Sequence, residues 1–219
     1  MDIAALAYGT FFLSRRASPL RTVLKTLPVG ALAVAVLANG APWPLVAALA
    51  LSALGDAFLA GDGERWLPPG LGAFLLAHLA YVWLFVDNIL DANLFWPAEG
   101  APSLAARGLA CLAVVGAAAL MLRWLWSSLG GLRPAVLAYV AAIVAMVVSS
   151  FWLVTGYVAV MVGAVLFFAS DAILSAQIFR KRLKSTAGRV AVWGLYFVAQ
   201  VLIAGAYGFS WSSHVHIRF

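Results

Sequence analysis

Trp43-Pro-Leu-Val-Ala-Ala-Leu-Ala-Leu-Ser-Ala-Leu-Gly-Asp-Ala-Phe-Leu-Ala60 runs for 18 residues and carries a single charge, Asp56. A helix rises ~1.5 Å per residue, so this stretch nearly spans the ~30 Å hydrocarbon core of a bilayer. Similar apolar stretches flank it on both sides. The set covers residues 3–14, 20–38, 43–60, 67–86, 104–124, 132–150, 153–179 and 188–211. Turn-rich pieces separate them: Asn39 to Pro42, Gly61 to Glu64, Pro97 to Pro102, and Gly130-Gly131. The pattern predicts an all-α, polytopic transmembrane bundle of about eight spans, forming one integral membrane domain over residues 1–219. The first stretch is short, and either tilts across a thinned bilayer or lies at the interface.

Composition agrees. Of 219 residues, 65% are hydrophobic and 10% charged, and the mean hydropathy is +1.01. A soluble domain of this size has too much surface to hide so large an apolar share. The lone Cys111 excludes a disulfide framework. Met1-Asp2 gives no basic region ahead of the first apolar stretch, so a cleavable signal is not expected.

The net charge of +6 invites a nucleic-acid reading, but the basic residues occupy the short gaps between spans. Eleven of the 14 fall in alternate gaps: Arg15, Arg16, Arg21, Arg65, Arg123, Arg133, Arg180, Lys181, Arg182, Lys184 and Arg189. The opposite side has only Arg107 and Arg218. That asymmetry is a positive-inside signal and predicts cytoplasmic basic loops with both termini on the other side, in a bacterial inner membrane. Tryptophans at the span ends (Trp43, Trp66, Trp96, Trp124, Trp126, Trp211) suit interfacial belts.

The third span contains Gly55-Asp-Ala-Phe-Leu-Ala60 and the seventh Ser170-Asp-Ala-Ile-Leu-Ser175. Both read small-Asp-Ala-apolar-Leu-small. A second echo follows each one: Gly72-Ala-Phe-Leu-Leu-Ala-His78 and Gly194-Leu-Tyr-Phe-Val-Ala-Gln200. Segments four spans apart run in the same direction, which predicts a parallel 4+4 repeat.

Ionisable groups inside a bilayer cost at least ~2.5–3.5 kcal/mol each on insertion scales, so they are functional candidates by default. Three stand out: Lys25, Asp56 and Asp171. Lys25 and Asp56 lie roughly 7 Å from the basic side and Asp171 roughly 13 Å. His78, Tyr81, Tyr139, Tyr196 and Gln200 approach from the same half of the membrane. Each has a plainer alternative: Asp56 and Asp171 are packing polar groups held by Lys25 and tyrosine hydroxyls, Lys25 snorkels to the surface, and the hydroxyls, imidazole and amide glue helices together. Pro28 predicts a kink near Lys25. Neither a P-loop nor a nucleotide fingerprint is present, and His214 and His216 lack neighbouring ligands, so no cofactor or metal is expected.

In their order, Lys25-Thr-Leu-Pro28, Leu54 to Leu59, Phe74 to Tyr81, Tyr139, Gly163 to Asp171, and Tyr196-Phe-Val-Ala-Gln200 resemble the YhhN family of lysoplasmalogenases. The resemblance implies hydrolysis of the vinyl ether bond of lysoplasmalogens, giving a fatty aldehyde and glycerophosphoethanolamine or glycerophosphocholine. It matches Asp56 and Asp171 to the family's two acidic positions. Lys25, His78, Tyr81, Tyr139, Tyr196 and Gln200 would line the substrate site. The implied partners are a lysophospholipid and membrane lipids, with no nucleic acid.

The chemistry suits two carboxyl groups. Enol-ether hydrolysis starts with proton transfer to the carbon β to oxygen, and water then captures the resulting oxocarbenium ion. An acid and a base are needed, much as in glycosidases. Two aspartates sharing one proton would supply both.

Two other classes fit parts of this pattern. A proton-coupled transporter also has repeats and buried carboxylates, but paired Gly/Pro breaks are missing. An intramembrane aspartyl protease also uses two aspartates, but Ala53 stands where its Gly-x-Gly-Asp pattern needs glycine.

Overall fold

The computed structural model describes residues 19–61, 63–91, 103–153 and 158–208. Seven long helices make up nearly all of it: α1 (Pro19–Ala38), α2 (Trp43–Ala60), α3 (Leu67–Asp91), α4 (Leu104–Leu125), α5 (Arg133–Ser150), α6 (Val158–Phe179) and α7 (Thr186–Gly208). They correspond in order to the second through eighth predicted spans. The stretch 3–14 lies outside the described residues, as do Trp96, Trp211, His214 and His216. Six of the seven, α2 to α7, are long and apolar enough to cross a membrane, and α1 contributes the apolar segment Thr22–Ala38. The protein is an integral membrane protein.

Helix ends follow local chemistry. Pro19, Pro44 and Pro134 sit in first turns, where a missing N–H costs no intrahelical bond. Ser103 caps α4 by accepting from the Ala106 N–H at 3.2 Å. Gly40 ends α1 with φ of 69°. Gly40 N–H donates to Leu37 and Ala41 N–H to Val36, both at 3.0 Å. This is the paired closure of a Schellman motif, which needs a left-handed residue.

Two predicted boundaries move. α3 continues five residues past 86 to Asp91, because Asp87 and Asn88 are tolerated once the helix leaves the apolar layer. The seventh predicted span begins at 153, but Phe151, Trp152 and Leu153 form a turn closed by bonds back to Val148, Ser149 and Ser150, and α6 is described from Val158.

α2 packs along α3 and α6 along α7, forming two close hairpins. α1 lies on α2, α3 on α5, and α1 also meets α7. Leu45, Leu49, Phe74, Tyr81, Phe85, Met146, Phe167 and Ile203 fill the centre. α4 is peripheral and largely exposed. Close approach depends on small residues: a Cβ on Gly163 would lie 3.0 Å from the Ala199 carbonyl oxygen.

Arginine–tryptophan pairs mark the bundle's ends. Arg65 stacks over Trp66, Arg133 over Trp126 and Arg180 over Trp124, with centroid distances of 5.2, 5.0 and 5.4 Å. All six residues lie in, or at the helix ends next to, the gaps that carry the basic excess. Arg180 also donates to the Trp124 carbonyl, tying the α6–α7 loop to the end of α4.

Candidate active site

The aspartates of the repeated motif sit on the first helix of each close hairpin, α2 and α6, and each meets a residue from the helix before it. Lys25 Nζ on α1 stands 3.1 Å from Asp56 Oδ1 on α2. Tyr139 on α5 donates its hydroxyl to Asp171 Oδ2 on α6 at 2.6 Å. Lys25 therefore turns inward instead of snorkelling, and its side chain is only 16% exposed. Pro28 lies inside α1 one turn on, leaving the Leu24 carbonyl without an in-helix donor.

The last helix of each half faces the aspartate of the other. His78 Nε2 on α3 stands 3.7 Å from Asp171 Oδ2, beyond hydrogen-bond distance. On α7, the Tyr196 hydroxyl is directed at Asp56 and at Gln200 without satisfying hydrogen-bond geometry to either.

Asp56, Asp171, Lys25 and Tyr196 line one cavity of about 220 Å³, together with Phe74, Ser170, Gln177, Arg189, Val192 and Trp193. Asp56 Oδ2 is buried with no hydrogen-bond partner, leaving an acceptor without a donor. Such an atom beside a cavity that also holds Lys25, Asp171 and Arg189 is a place for water or a substrate group.

Four of the eight residues singled out from the sequence do not line this cavity. Tyr81 and Gln200 are fully buried, and Tyr81 donates to Gln200 Oε1 across α3 and α7. His78 is buried edge-on between Tyr139 and Phe167, with centroids at 5.2 and 4.8 Å. Tyr139 instead lines a second, smaller cavity, which also includes Asp171. Among the described residues, no three His, Cys, Asp or Glu side chains converge as metal ligands would.

Residues 20–207 match the YhhN family. The chain belongs to that family. It is 36% identical over 168 residues to proteins named lysoplasmalogenase from Mycobacterium bovis and from Mycobacterium tuberculosis. The match takes in 75% of this chain and 60% of each relative, so the chain spans less than two thirds of their length. No solved structure matches.

Within this YhhN-family chain, the sequence did not single out Arg189 from the other arginines at the basic edge. The signal was present: Arg189, Trp193, Tyr196 and Gln200 follow helical i, i+4, i+7, i+11 spacing on one face of α7. Arg189 is held by bonds to the Lys184 carbonyl at 2.6 Å and Thr186 Oγ1 at 3.2 Å, which aim it at the cavity. Ser170 was noticed only as half of a motif. Its hydroxyl donates to the Val192 carbonyl at 2.8 Å, fixing α6 against α7 beside Asp171.

Proposed function

We propose that this protein hydrolyses the vinyl ether bond of lysoplasmalogens, releasing a fatty aldehyde and glycerophosphoethanolamine or glycerophosphocholine, with Asp56 and Asp171 as its acid–base pair. The observation that carries the reading is the shared cavity: both carboxyl groups of the repeated motif open onto one space that also holds two cations, Lys25 and Arg189. The name borne by the mycobacterial relatives supports the same reaction.

The substrate's parts fit the cavity's parts. A phosphodiester headgroup needs charge-assisted donors, and Arg189 lies at the basic end of α7 where such a group would arrive from a leaflet. The enol ether needs a proton donor and, after protonation, negative charge near the oxocarbenium carbon. Two carboxyl groups with one proton between them meet both demands. Phe74, Leu174 and Trp193 provide apolar wall. Low dielectric there strengthens each electrostatic contact with the developing cation.

The basic excess places the loops containing Arg65, Arg123, Arg133 and Arg180 to Arg189 in the cytoplasm in this reading, and the cavity opens toward that leaflet. Residues 1–219 act as one membrane domain.

The deciding experiment incubates the purified, detergent-solubilised full chain with lysoplasmenylethanolamine and follows products by mass spectrometry. The expected result is stoichiometric fatty aldehyde and glycerophosphoethanolamine. Flux of the lipid or of protons in proteoliposomes with no product formed would replace this reading with a transporter.

A further inference from the structure

We infer that the second cavity receives the first carbons of the substrate's alkenyl chain, and that Asp171, standing between the two cavities, is the residue that protonates the double bond. The inference rests on the vinyl ether reading above and extends it to the role of each aspartate.

The second cavity measures about 40 Å³ and lies among α3, α4, α5 and α6. Met121, Leu125, Val136, Val140, Ile143 and Phe168 give it an apolar wall. Three residues border both cavities: Asp171, Leu174 and Ile178. Asp56 borders only the larger one. A vinyl ether has the same asymmetry. Its oxygen and headgroup are polar, its β carbon carries the hydrocarbon chain, and the proton must reach that β carbon. With the headgroup toward Arg189 and the chain in the apolar cavity, the double bond crosses the boundary where Asp171 stands.

Size sets a limit. One water-sized group needs roughly 10–15 Å³ of such space, so the cavity takes about three chain carbons. The remaining chain must leave between helices into lipid. Selectivity is therefore strict near the double bond and lax beyond about the fifth carbon.

The steps balance. The Asp171 carboxyl gives its proton to the β carbon, the C=C π pair forms the new C–H bond, and an oxygen lone pair makes the oxocarbenium ion. Water adds to the α carbon while Asp56, through Oδ2, takes its proton. In the collapse of the hemiacetal, the C–O bond to glycerol breaks and that oxygen takes the proton from Asp56. The hemiacetal hydroxyl returns its proton to Asp171. Both aspartates end as they began, and one water is consumed.

Three measurements on the full chain test this. First, a synthetic lysoplasmenylethanolamine with a methyl branch on the carbon next to the double bond should show kcat/KM at least ~10-fold below the straight-chain substrate, while shortening the chain from 16 to 8 carbons should change it less than ~3-fold. Equal turnover of branched and straight substrates overturns the chain assignment. Second, hydrolysis in D2O should place one deuterium stereospecifically on the aldehyde carbon next to the carbonyl; racemic label overturns a fixed donor. Third, azide attacks an oxocarbenium carbon without a base, so it should restore substrate consumption to Asp56→Ala and not to Asp171→Ala. Rescue of Asp171→Ala, or of neither, overturns the division of roles. If the unmodified protein cleaves no vinyl ether at all, the function itself fails, a result distinct from each of these.

Discussion

Phe74 and Tyr196 occupy matching positions in the echoed segments of α3 and α7, each two residues after a glycine, and their rings meet edge to face with centroids 5.8 Å apart. The contact joins α3 to α7 at the wall of the cavity that both aspartates line. Phe74 also lies over Gly55, the neighbour of Asp56, and both rings border the cavity. The carboxyl groups are thus held by a core that the two halves build together.

Asp56→Asn and Asp171→Asn should each lower the rate of aldehyde release by roughly 10²–10⁴-fold or more, the scale of general acid–base catalysis. Asparagine keeps the side chain's shape, so elution and thermal unfolding in detergent should stay near those of the unmodified protein. Near-normal release from either variant would remove that aspartate from the mechanism.

Lys25→Met removes the cation that faces Asp56 at 3.1 Å. Breaking a buried pair from one side strands the other charge at a cost of about 3–5 kcal/mol, reduced here because Lys25 reaches partly toward solvent. Thermal stability should fall in Lys25→Met and recover in the double variant Lys25→Met/Asp56→Asn, while activity stays lost in both. Additive losses in that cycle would show that the two side chains are not coupled.

Gly55→Ala tests the packing beside Asp56. Alanine normally stabilises a helix by ~1 kcal/mol over glycine. Here its Cβ would sit 2.6 Å from two carbons of the Phe74 ring. Overpacking of this kind costs ~1–3 kcal/mol, so the clash should win and lower the melting temperature. Adding Phe74→Leu should return part of the loss. A more stable Gly55→Ala would mean that the ring moves aside freely.

Tyr81→Phe leaves Gln200 Oε1 buried without the hydroxyl that now satisfies it. The expected loss is about 1–3 kcal/mol, read as a lower unfolding temperature. Because Tyr81 lies behind the cavity wall and not on it, KM should move less than kcat. A large rise in KM with stability unchanged would make Tyr81 a substrate contact after all.

Much of the candidate site stands out in the sequence. Asp56 and Asp171 stood out because charge is expensive in a bilayer, and the echoed motifs placed them in corresponding spans. Lys25 was also visible, although its depth alone left inward and outward rotamers open. The division among the remaining residues was not legible. Spacing put Tyr196 and Gln200 on one face of α7, yet one borders the cavity and the other is locked to Tyr81 behind it. Arg189 shared that face and was hidden among the topology charges.

The sequence by itself determined the class: apolar length and scarcity of charge leave a chain no stable place except a bilayer. Pairing of each aspartate was decided only by tertiary structure. Which helix supplies Lys25 or Tyr139 to which carboxylate, and which cavity each carboxylate borders, depend on how α1, α3, α5 and α7 cross. Helix–helix packing sets those crossings through small-residue contacts such as Gly55 and Gly163, and no periodicity within a single span encodes the partner on another.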